Sequence, residues 1–147
     1  MPGNVTLIPA ELKFGSRSEI AIYNCSVTKM PEDEYKDVID FCYSRLNAIP
    51  YKQHFDNDPE IPLEERKEYI SLVQECKTGV INKVVVYSPQ SISMKWEEVR
   101  LFCNTLLDFN TEIVVALSGD ISSQWTDRDI FIMRLGFYFK GSPSYLF

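Results

Sequence analysis

The run KVVVYS, residues 83 to 88, constrains this chain more than any other stretch. Side chains of a strand alternate between its two faces, so three consecutive valines leave no polar face for solvent. The segment reads as the centre of a sheet covered on both sides. Two further runs share its character: Glu19 to Cys25, containing IAIYNC, and EIVVAL from Glu112 to Leu117.

Amphipathic segments separate these runs. Pro31-Glu32-Asp33-Glu34 opens a helix, because proline suits the first turn and three carboxylates favour the positive end of the helix dipole. Tyr35, Val38, Ile39, Cys42, Tyr43 and Leu46 follow at steps of three and four. Ile49 to Phe55 reads as a second strand, and a second helix is expected from Pro62 to Thr78, ended by Gly79. Pro89 stops the central strand. A third helix from about Ser93, with Ser93 as its N-cap, carries Trp96, Val99, Cys103, Leu106 and Leu107 on one face. The last apolar segment, Asp127 to Lys140, reads as a helix. The expected architecture is one α/β domain spanning residues 1–147, with a mostly parallel sheet of four to five strands and helices on both faces. Residues 1–18 are expected to be a leader or arm.

Composition narrows the function. A length of 147 residues suits one core, and 45% apolar with 24% charged residues is ordinary for a globular protein. No run is long enough to span a membrane, and MPGNVTLIPAELKF lacks the features of a secretory signal, so a cytoplasmic location is expected. The four cysteines form no CxxC pair and read as free core thiols, with no metal site. A formal charge of −6 and the absence of any Lys/Arg run argue against direct nucleic-acid binding by this chain alone. Neither GxGxxG nor GxxxxGK[ST] occurs, so no nucleotide cofactor is implied. A receiver-type site would need an aspartate where Ser88 and Pro89 stand. The sole histidine, His54, reads as a surface or packing residue.

The order of elements and the pieces IAIYNCSVT, ERKEYISLV, KTGVINKVVVY, SPQSIS and EIVVALSGDIS resemble the catalytic domain of serine recombinases, the resolvase/invertase family, from about Glu19 to Ser122. That resemblance implies a nucleophile loop after the first strand. Aligned without a gap, the family's first-strand arginine falls on Cys25, its nucleophilic serine on Val27 and the next threonine on Thr28. The family's D-R-L-x-R loop falls on Gln90, Ser91, Ile92, Ser93 and Met94, while Arg66 matches the arginine that opens its R-P-x-L segment. Valine cannot attack a phosphodiester, and losing preorganised donors for the developing charge costs about 10² to 10³ in rate for each one. The implied site is therefore degenerate. Ser26, one residue early, would face the opposite way in an extended strand and reads as a loop hydroxyl or turn hydrogen-bonder. Arg66 reads as a solvated residue of the mixed-charge run ERKE. The resemblance also implies a long dimerisation helix and a DNA-binding domain beyond the catalytic domain, and only about 20 residues follow Asp127.

The leading expectation is therefore an inactive recombinase-like domain acting through a protein partner or as a homodimer. Its candidate contact surface is Ile130, Phe131, Met133, Phe137 and Tyr138, which sequence alone leaves open as either core or interface. Two alternatives stand beside it. One is a divergent phosphoryl transferase using Ser26 with some of Arg45, Arg66 and Arg100; the other is a small-molecule sensor near Asn24, Ser88 and Ser118.

Overall fold

The computed structural model describes residues 19–139. Five strands alternate with four helices: β1 (Ile20–Cys25), α1 (Glu32–Ser44), β2 (Lys52–Asp56), α2 (Lys67–Lys77), β3 (Lys83–Val86), α3 (Trp96–Asp108), β4 (Glu112–Val115), β5 (Asp120–Ile121) and α4 (Arg128–Tyr138). The sheet order is β2-β1-β3-β4-β5, parallel except for β5, which pairs antiparallel with β4. KVVV is indeed the middle strand. Its register, Ile22↔Val85 with β1 and Val85↔Val114 with β4, stacks apolar side chains across the sheet.

Strand periodicity divides the core in two. Ile20, Ile22, Val85 and Val114 face α1 and its Val38, Phe41 and Cys42. Ala21, Tyr23, Val84, Val86, Ile113 and Val115 face the opposite side, where α2, α3 and α4 supply Leu72, Phe102, Leu106, Phe131 and Leu135. Helices thus cover both faces, one on the first and three on the second. Burial at roughly 25 cal/mol per Å² of apolar surface drives both layers. No helix among the described residues is long and apolar enough to cross a membrane.

Several boundaries differ from the sequence reading, each for a local reason. The second strand starts at Lys52, after Tyr51 has donated its backbone N–H to the Ile20 carbonyl at 2.7 Å. The expected helix from Pro62 is two elements: a 3₁₀ turn at Leu63–Glu65, then α2 from Lys67, with Arg66 extended between them (φ −75°, ψ 128°). Gly79, at φ +82°, ends this helix in the left-handed conformation that glycine tolerates best. The third helix begins at Trp96 with Lys95 at the cap, so Ser93 is not the N-cap. In α1 the buried stripe uses Phe41, while Tyr43 is exposed. The fourth strand stops at Val115, and a turn through Gly119 (φ +79°) returns the chain as the two-residue β5, too short to leave a period in sequence. The terminal helix is present, capped by Asp127, whose carboxylate accepts from the Asp129 N–H at 2.7 Å. The proposed leader or arm at 1–18 and Lys140 lie outside the described residues.

Candidate functional site

The chain goes from β1 out to β2 and then returns to place β3 on the other side of β1. The order therefore reverses between β1 and β3, and open α/β sheets place their sites in the crevice at the carboxyl ends of such strands. Here that position is flanked by Cys25–Thr28 after β1 and Ser88–Met94 after β3.

Arg66 fills the crevice. Its side chain is 1% exposed, which overturns its reading as a solvated helical residue. Nε donates to the Ile61 carbonyl at 3.0 Å; one terminal nitrogen donates to the Ile92 carbonyl at 2.6 Å and the Tyr23 hydroxyl at 3.4 Å. The other reaches Glu98 Oε1 at 3.2 Å and the Pro59 carbonyl at 3.4 Å. Burial works against the guanidinium charge, but the Tyr23, Cys25 and Glu98 side chains outweigh it and its pKa moves up. All three guanidinium nitrogens are thus engaged by the protein itself.

The partners of Arg66 are tied in turn. Glu98 accepts from the Ser93 hydroxyl at 2.7 Å and the Leu63 N–H at 2.9 Å. Burial alone would raise its pKa, yet the hydrogen bonds from Ser93 and Leu63 and the charge of Arg66 hold it below the usual range. Tyr23, whose pKa burial pushes up, donates to Asp56 Oδ2 at 2.8 Å. The same carboxylate accepts the N–H groups of Glu68 and Tyr69 at 2.9 and 3.0 Å, capping α2 from a neighbouring strand. One buried polar assembly thus binds β1, β2, the 59–66 segment, the loop after β3, α2 and α3.

The residues that follow β1 point elsewhere. Val27 is 75% exposed beyond the strand end, and Thr28 is exposed beside it. Ser26 Oγ accepts from Asn24 Nδ2 at 3.0 Å and donates to the Thr28 carbonyl at 2.5 Å, a local turn arrangement. Cys25 is buried, and burial raises its thiol pKa even though Arg66 opposes that shift. In the loop after β3, Ser91 is buried and closes a capping box with Ser88; Gln90 donates to the Tyr138 carbonyl at 3.2 Å; Met94 is exposed. Arg66, Ser93 and Cys25 are therefore gathered around the crevice, whereas Ser26, Val27, Thr28 and Met94 lie at its rim.

Two more regions bear on function. His54, read as a surface or packing residue, is 1% exposed, with Nδ1 at 2.9 Å from Glu68 and Nε2 at 2.6 Å from Glu75. It joins β2 to α2. On α4, Phe131 is fully buried with Ile132 and Leu135, so it is core and no contact residue. Ile130, Met133, Phe137 and Tyr138 are exposed on the same helix, and Arg134 lies over the Trp125 and Tyr138 rings. A shallow groove of about 290 Å³ between α3 and α4 is lined by Trp96, Arg100, Asn104, Asp129, Ile132 and Met133. Among the described residues no group of three or more His, Cys, Asp or Glu side chains is placed to hold a metal.

Sequence reasoning missed Tyr23, Asp56 and Glu98. Only Asp56 left a signal, as a carboxylate at a strand end some ten residues before a helix start.

The fold is that of the catalytic domain of serine recombinases. The N-terminal catalytic domain of TP901-1 integrase matches with a TM-score of 0.66 at 12% identity, over 87% of this chain and 98% of that one. A resolvase family site-specific recombinase from Streptococcus pneumoniae matches at 0.61 and 11% identity, over 86% and 89%. The C-terminal catalytic domain of ISC1926 TnpA, an IS607-like serine recombinase, matches at 0.51 and 9%, over 66% and 67%. No protein-family model and no curated protein sequence matches the chain. At these identities the likeness is one of fold.

Proposed function

We propose that this is a resolvase-like domain that performs no strand cleavage and acts through protein association, either with a second copy or with an active recombinase. The engagement of Arg66 carries this reading. It is the one arginine aligned with the family's set, and turning it toward a phosphodiester would break its ties to Ile61, Ile92 and Glu98 together. Val27 stands where the nucleophile is expected, and Ser26 has its hydroxyl engaged in a local turn.

The exposed side of α4, with Ile130, Met133, Phe137 and Tyr138, supports the association half, because clustered exposed apolar side chains mark interaction surfaces. In this reading residues 127–147 form the contact segment of the 1–147 domain. No cofactor or metal takes part. Four buried free cysteines suit a reducing, cytoplasmic setting.

Two measurements test the halves separately. Incubation with nicked and intact duplex DNA, followed by denaturing electrophoresis, is expected to give no covalent adduct; an adduct lost in Ser26→Ala would establish the displaced-serine enzyme instead. Light scattering of the purified chain, alone and mixed with a serine recombinase, is expected to show a complex that Met133→Asp/Phe137→Asp dissolves. A monomer that binds neither itself nor the recombinase would end the association reading.

A further inference from the structure

His54 is the sole histidine of the chain, and its buried ring meets a carboxylate at each nitrogen. Nδ1 lies 2.9 Å from Glu68 Oε1 and Nε2 lies 2.6 Å from Glu75 Oε1. An ionised carboxylate only accepts hydrogen bonds, whereas a neutral imidazole offers one N–H and one lone pair. Both contacts are therefore satisfied together only when both ring nitrogens carry protons, which makes the ring an imidazolium. A neutral ring would set a lone pair against a carboxylate oxygen at one of the two positions.

The two contacts are unequal. Glu75 is 17% exposed and also accepts from Lys52 Nζ at 2.6 Å, so it keeps a cationic partner without His54. Glu68 is 38% exposed and makes no second side-chain hydrogen bond or ion pair among the described residues. Its carboxylate is the one that water can take over. The other titratable groups around the ring are committed elsewhere. Lys52 and Asp56 share the face of β2 with His54, and Tyr23 of β1 is its partner in register. Asp56 accepts from the Tyr23 hydroxyl and from the N–H groups of Glu68 and Tyr69. Glu68 is thus tied to the edge strand twice, by its side chain to His54 and by its backbone to Asp56, in the first turn of α2 just after Arg66.

We infer that His54 is a proton-operated latch between the edge strand β2 and α2: the protonated ring clasps Glu68 and Glu75 together, and loss of the Nδ1 proton to solvent releases Glu68 into water. The Nε2 proton stays on Glu75, the stronger contact, and Asp56 alone then holds the first turn of α2. Burial favours a neutral ring while two carboxylates favour a charged one, so opposed influences act on a single proton, as a two-state element requires. The latch is closed on the acid side of the ring's titration and opens as pH rises through it. This inference is independent of whether the domain cleaves DNA or associates through α4.

The test uses the full ¹⁵N-labelled chain, whose single histidine gives one set of ring signals, titrated from pH 5.5 to pH 8.5. Long-range ¹H–¹⁵N correlation of the ring is expected to show both nitrogens protonated at the acid end and Nδ1 bare at the alkaline end. Over the same titration, protection of the Glu68 and Tyr69 amides against hydrogen exchange, corrected for the intrinsic rate, is expected to fall about fivefold. In Glu68→Gln the side-chain amide can offer its carbonyl to an N–H or its NH₂ to a lone pair, so the ring still titrates but protection is expected to change by less than about twofold. A ring in one charge state throughout, a bare Nε2 with Nδ1 still protonated, unchanged protection in the unaltered chain, or the same fall in Glu68→Gln would each overturn the latch, and none of these results bears on association through α4.

Discussion

Arg66 is 1% exposed and Phe137 is 57% exposed, so the charged residue lies inside and the aromatic one outside. The two regions differ in what completes them. Around Arg66 the main hydrogen-bonding groups are met within the chain, by Tyr23, Glu98 and the carbonyls of Pro59, Ile61 and Ile92. Along the outer side of α4, apolar area is left in water while the inner side of the same helix, with Phe131 and Leu135, is sealed. The crevice is thus closed by the chain's own groups, whereas the outer side of α4 leaves Ile130, Met133, Phe137 and Tyr138 exposed.

The sharpest way to break this comparison is to empty its closed half. Arg66→Ala leaves Glu98 facing a cavity, and removing one partner of a buried pair costs about 3–5 kcal/mol; urea denaturation is expected to show a loss of that size, and a change under 1 kcal/mol would mean the joint is dispensable. Phe131→Ala is expected to cost a similar amount, about 3–5 kcal/mol, from a vacated core site. Asp56→Ala comes next. It removes the cap on α2 and the acceptor of Tyr23, for about 1–3 kcal/mol by the same assay.

A smaller effect sharpens the electrostatic side. Burial favours a raised Glu75 pKa, but hydrogen bonds from Lys52 and His54 lower it on balance, and Glu98 is lowered as well. Carboxylates depressed in the folded state add stability that is fully present above their unfolded values and lost as pH falls through their folded ones. Urea midpoints are therefore expected to hold from neutral pH to just above the ordinary carboxylate range and to decline below it, less steeply in Glu98→Gln. The smallest expected change is in the open half: Phe137→Asp should alter stability by about 0.5 kcal/mol or less while reducing association. A large destabilisation there would return the outer side of α4 to the core.

Much of the frame was legible in sequence. Alternation of apolar strands with amphipathic helices identified four strands and four helices, because burial imposes periods of 2 and 3.6 directly on residue order. The two-residue β5 escaped because it is too short to show a period. Arg66 escaped for a subtler reason: in sequence it reads as one position of a continuous helix, whereas the extended backbone between Glu65 and Lys67 removes it from helical periodicity and turns its side chain into the crevice. Ser93 shows the same limit; its hydroxyl does accept a backbone N–H, that of Lys95 at 3.0 Å, yet the helix begins later and Ser93 serves Glu98 instead.

By itself the sequence determined the layered α/β plan and the central place of KVVV, since these depend on residue type and local period. Only the tertiary structure decided that Arg66 is buried, that Asp56 caps α2, and which side of α4 meets the core. The first two outcomes depend on contacts between residues 12 to 43 positions apart, and no local pattern encodes which distant donor will meet which acceptor.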